Sequence, residues 1–92
     1  MTQPIDILLV TSPGCHYCDH ALGVLNEVGE TTPLSVTTIA LTSERGMDLL
    51  VRHRVPYPPI LLIEGEFFGY GRISRRKLEM HLAHLANSDL VY

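Results

Sequence analysis

Cys15 and Cys18 are the only cysteines of a 92-residue chain, and they stand two residues apart in Ser12-Pro13-Gly14-Cys15-His16-Tyr17-Cys18. The run before them, Ile5-Asp6-Ile7-Leu8-Leu9-Val10, is nearly all apolar and partly β-branched. That pattern suits a strand covered on both faces. Pro13 and Gly14 break it. From Cys15 to Glu30 the pattern turns helical: Cys18, Ala21, Leu22, Leu25 and Val28 recur at spacings of three and four, which is one stripe of a helix. The two cysteines therefore mark the point where a strand hands over to a helix. A single C-x-x-C in that position reads as a reversible dithiol/disulfide pair that needs no cofactor.

The remaining elements follow from periodicity and punctuation. Gly29 and Pro33 close the first helix. Leu34 to Leu41 is rich in Val, Thr and Ile and reads as a second strand. Ser43 caps a short second helix, with Glu44 favourable in its first turn and Met47, Leu50 and Val51 expected on its buried side. Gly46 weakens that helix by up to about 1 kcal/mol. Pro56, Pro58 and Pro59 exclude helix or central strand between Arg54 and Pro59. Ile60 to Ile63 is a third strand, Glu64-Gly65-Glu66 a turn, and Phe67 to Tyr70 a fourth strand completing a hairpin. Ser74 caps a last helix with Leu78, Leu82 and Leu85 on its apolar side. The order is βαβαββα. The first two strands, joined through a helix, should be parallel with a right-handed crossover.

Bulk properties narrow the class. The length fits one domain over residues 1–92. A formal net charge of −3 is too mild to favour nucleic acid or an anionic membrane as partner. No apolar stretch approaches the roughly 18 residues of a membrane span, and the first residues carry no export signal. Two cysteines do not make a multi-bridge secreted scaffold, so a cytoplasmic location and a catalytic or metal-binding pair are expected.

The spacing explains how such a pair would work. The thiolate is the nucleophile, and a helix N-terminus stabilises it through unpaired N–H groups and the macrodipole. Cys15 lies where the helix begins, so it is expected to be the exposed attacking thiol. Cys18 is one turn in, on the core-facing stripe, and is expected to be the covered resolving thiol. His16 and Tyr17 are placed to tune the pair. A protonated His16 would stabilise the thiolate; alternatively it only shapes the surface. His20 reads as a solvated helix residue. Two other readings of the cysteines stay open: inert reduced thiols, and a metal or Fe–S module. A zinc site usually takes four ligands, and although Cys15, Cys18, His16 and His20 total four, the His16 side chain diverges from the cysteines. A cluster shared by two chains through Cys15 is the other metal arrangement. No metal bound by one chain is expected.

These residues resemble a known family. The C-x-x-C after the first strand, the βαβαββα order and a proline opening the third strand are similar to the thioredoxin fold. The aromatic in Cys15-His16-Tyr17-Cys18 resembles the Cys-Pro-Tyr-Cys of glutaredoxins. Pro59-Ile60-Leu61-Leu62-Ile63-Glu64-Gly65 is similar to the Pro-x-Leu-x-Ile-x-Gly segment of small thioredoxin-like and glutaredoxin-like proteins. The resemblance implies an α/β fold with a four-stranded mixed sheet flanked by helices. It also implies a cis Pro58–Pro59 bond beside the active-site sulfurs, with Pro58 and Pro59 in the substrate groove. The chain departs from thioredoxins at Gly14, where they carry Trp, and at Leu9, where they keep a buried acid. It departs from glutaredoxins where their Thr-Val-Pro becomes Pro58-Pro59 and where their glycine corner becomes Gly69-Tyr70-Gly71-Arg72-Ile73-Ser74.

Arg72, Arg75, Arg76 and Lys77 crowd the start of the last helix, where cations oppose the macrodipole by roughly 0.3–1 kcal/mol each. With Gly71, Arg72, Arg75 and Arg76 would bind a carboxylate such as glutathione's, or an acidic partner; the plain alternative is a solvated charged face. The resulting expectation is a monomeric thiol-disulfide oxidoreductase of glutaredoxin/thioredoxin-like type, serving electron transport and cell redox homeostasis. Its substrates would be protein disulfides or glutathione, and a separate reductant would reset it.

Overall fold

The computed structural model describes residues 3–91, with the side chains of residues 3–85. Its elements follow the expected order: β1 (Ile5–Thr11), α1 (His16–Gly29), β2 (Leu34–Ala40), α2 (Glu44–Arg52), β3 (Ile60–Ile63), β4 (Glu66–Tyr70) and α3 (Arg75–Val91). They build a four-stranded sheet in the order β2-β1-β3-β4. β1 and β2 run parallel, from Ile5 opposite Leu34 to Thr11 opposite Ala40. β3 is antiparallel to both β1 and β4. The sheet is therefore mixed, and the expected α/β thioredoxin fold is present.

The apolar runs Ile7–Val10 of β1 and Ile60–Ile63 of β3 are explained by two cores, one on each face of the sheet. Ile7, Leu9, Leu61 and Ile63 point to one side and pack with Ala21, Val24, Leu25 and Val28 of α1 and with Leu78 and Leu82 of α3. Leu8, Val10, Ile60 and Leu62 point to the other and pack with Leu49 of α2 and with Val55. Successive strand residues alternate between faces, so a strand covered on both sides has no polar position to spare. Among the described residues no polar or charged side chain is buried.

The face of α2 differs from the expected one. Met47 and Val51 are exposed, at 46% and 68%, and Leu50 is only half-buried. Gly46 and Leu49 are the buried positions. Gly46 decides this. A Cβ at that position would overlap the Ala40 carbonyl oxygen and lie 2.8 Å from the Leu41 carbonyl oxygen. The bare glycine lets the helix start close against the end of β2, which turns the Gly46–Leu49–Leu50 stripe inward. The residue that lowers helix propensity thus sets the orientation of the helix. Ser43 caps α2 as expected, its Oγ accepting the Gly46 N–H at 3.1 Å.

Candidate functional site

The dithiol site lies where β1 ends and α1 begins. Gly14 turns the chain with φ +70°, in open space. Cys15 is the N-cap residue of α1, in extended conformation at φ −94° and ψ 110°. In that role a side chain accepts one of the N–H groups left without a partner in the first turn. Here the acceptor is sulfur: Cys15 Sγ accepts the Cys18 N–H at 3.1 Å. The cap brings the two residues together, with Cα atoms 5.2 Å apart and the sulfurs joined as a disulfide. Cys18 is 2% exposed and Cys15 is half-buried. The asymmetry expected from the helix stripe is present: one sulfur at the rim, the other beneath it.

Across the site runs the segment from Val55 to Pro59. The Pro58–Pro59 bond is cis, as the resemblance implied. The Pro58 carbonyl oxygen lies 3.8 Å from Cys15 Sγ, within reach of a weak S–H donor when the thiol is reduced. Pro59 is buried, and its carbonyl accepts the Gly71 N–H at 2.9 Å. β1, the start of α1, the proline segment and the end of β4 thus converge on one place, although Cys15 and Gly71 are far apart in sequence.

His16 and Tyr17, the two residues between the cysteines, are both exposed. His20 is exposed as well. Tyr17 approaches Tyr57, with ring centroids 6.2 Å apart, and Tyr57 meets Tyr70 edge-on at 5.5 Å. Tyr57 and Tyr70 were not singled out from sequence. An aromatic one residue before the Pro58–Pro59 pair and another closing β4 were the available clues.

The arginine group does not form a single cradle. Arg75 Nη1 pairs with Glu27 Oε2 at 3.0 Å, and its Nε lies 3.7 Å from Glu79. Glu27 lies twelve residues past Cys15 in sequence, about 18 Å along the helix. The Arg75 guanidinium is therefore held toward the far end of α1. Gly71 is buried at φ +66°, and its N–H is spent on Pro59 rather than offered to an anion. Arg72 and Arg76 are exposed. Among the described residues no group of three or more His, Cys, Asp or Glu side chains gathers where one metal ion could be held. No described helix is long and apolar enough to cross a membrane.

No protein-family model matches the chain, and no curated protein matches it either. Solved structures do. An uncharacterized thioredoxin-like protein from Clostridium perfringens is 18% identical, with a TM-score of 0.67 over 89% of this chain and 71% of its own. A thioredoxin from Thermus thermophilus is 22% identical, with a TM-score of 0.58 over 90% of this chain and 74% of its own. Glutaredoxin 1 from Francisella tularensis is 16% identical, with a TM-score of 0.55 over 90% of this chain and 98% of its own. The likeness is one of fold: a thioredoxin-type sheet and helices, here carrying a C-x-x-C pair at the first strand–helix junction.

Proposed function

We propose that the protein is a thiol-disulfide oxidoreductase that reduces disulfides through Cys15 and Cys18. One observation carries this reading. Cys15 caps α1 at the rim of the site, its sulfur receiving the Cys18 N–H, while Cys18 lies buried directly beneath within bonding reach. The N-terminal field and that N–H both favour negative charge on the Cys15 sulfur.

In the reduced protein the Cys15 thiolate attacks one sulfur of a substrate disulfide. A Cys15–substrate disulfide forms, and the other substrate thiolate departs and takes up a proton. Cys18 then gives up its proton and attacks Cys15 Sγ. The Cys15–Cys18 bond forms, and the second substrate thiol leaves reduced. Two electrons have passed from the pair to the substrate. A thiol-class reductant returns them by the reverse exchanges. No charged side chain is buried among the described residues, and Leu9 is wholly buried. The Cys18 proton therefore passes to the departing substrate thiolate or to water rather than to an internal base. His16, at the first position of α1, adds positive charge near the thiolate whenever it is protonated. Protein disulfides are the proposed substrates, with a cytoplasmic role in redox homeostasis; no tightly bound cofactor takes part.

Alkylation of the reduced protein across pH tests the reading. One fast-reacting thiol, Cys15, is expected, with a pKa below the roughly 8.5 of a free cysteine. Equal, slow labelling of both sulfurs would rule it out.

A further inference from the structure

The segment facing Cys15 is poor in main-chain hydrogen-bonding groups. Pro58 and Pro59 have no N–H. The Pro59 carbonyl is already occupied by Gly71, and the Pro58 carbonyl is turned toward Cys15 Sγ. A polypeptide lying along these two residues finds no donor there. Strand-like pairing with a substrate, the usual way an extended segment holds another chain, is therefore cut back at the positions nearest the reacting sulfur.

What the site offers instead is aromatic surface. Tyr17, Tyr57 and Tyr70 are 46%, 44% and 42% exposed, and they form a continuous series of rings. Tyr57 is central. It meets both other rings and lies against Gly71. The series is tied to the sulfurs at both ends of the local chain: Tyr17 lies between the cysteines, and Tyr57 immediately precedes the proline whose carbonyl faces Cys15. Phe67, the remaining large exposed aromatic among the described residues, stacks on His53 instead.

Building on the oxidoreductase reading above, we infer that the substrate is a polypeptide disulfide with an aromatic side chain next to the attacked cysteine, and that this ring docks on Tyr17, Tyr57 and Tyr70. Aromatic rings gain from offset or edge contact with such a surface. Two carboxylates, as glutathione carries, gain nothing from it. Recognition then rests on side-chain stacking where main-chain pairing is missing.

The test compares short peptides in which one cysteine is disulfide-linked to 2-mercaptoethanol and both flanking residues are Phe, Ala or Asp. The reduced protein reacts with each, and chromatography follows loss of the peptide disulfide. Hydroxyethyl disulfide and glutathione disulfide serve as small references. The Phe peptide is expected to react about fivefold faster than the Ala peptide at subsaturating concentration, with the difference in KM. Tyr57→Ala should reduce that ratio below about twofold, and Tyr57→Phe should keep it. Phe and Ala peptides reacting within about twofold of each other in the unaltered protein, or glutathione disulfide outpacing the Phe peptide, would overturn the inference. If hydroxyethyl disulfide reacts in either case, the dithiol reading survives that loss. If no disulfide reacts faster than with a free thiol, both fall together.

Discussion

Gly71 lies flush beneath Tyr57: a Cβ on the glycine would rest 3.4 Å from the tyrosine ring and hydroxyl. That distance is ordinary van der Waals contact, so space alone would tolerate alanine. The backbone would not. Gly71 has φ +66°, where an L-residue costs about 1–2 kcal/mol. Gly71→Ala is expected to lower unfolding stability by that amount in denaturant titration. It should also disturb the Pro59 contact, lowering the rate of disulfide reduction along with stability.

Gly46→Ala tests the orientation of α2. Helix propensity alone predicts a gain of up to about 1 kcal/mol. The new Cβ would overlap the Ala40 and Leu41 carbonyls, and backbone oxygens have no rotamer by which to yield. Overpacking of this kind costs about 1–3 kcal/mol. A net loss of stability is expected by chemical denaturation. A more stable variant would show that α2 does not rest there.

The two cysteines are expected to differ when replaced singly. Cys15→Ser should abolish disulfide reduction. Cys18→Ser should still attack substrate but stop at the mixed disulfide, which mass spectrometry would detect as a covalent adduct. Adduct on Cys15→Ser instead would reverse the proposed roles.

The Arg75–Glu27 ion pair lies in solvent, with side chains 48% and 60% exposed. Exposed pairs of this kind contribute about 0.2–1 kcal/mol. Arg75→Ala should therefore destabilise by less than about 1 kcal/mol. It should leave disulfide reduction within about twofold, because the guanidinium is held toward the far end of α1. A tenfold loss of activity would restore Arg75 to the site.

The elements whose register is written locally were legible in the sequence. β1 and β3 announce themselves by runs of four consecutive apolar residues, α1 by its three-and-four spacing, and the Cys15–Cys18 site by its place between strand and helix. A helix stripe also carries the burial of Cys18 beneath Cys15, because both follow from one turn of one helix. The four-stranded mixed sheet and the cis bond at Pro59 came through resemblance to the thioredoxin fold. Tertiary structure decided the rest. α2 is a short helix of nine residues with apolar residues on more than one side, and its buried face was chosen by how closely Gly46 approaches the end of β2. Arg75 was read among neighbouring cations, but its partner Glu27 lies on another helix. Tyr17, Tyr57 and Tyr70 belong to three separate segments that meet only when the sheet closes. Periodicity reports which side of one element is apolar; it holds no information on which distant side chain arrives opposite it.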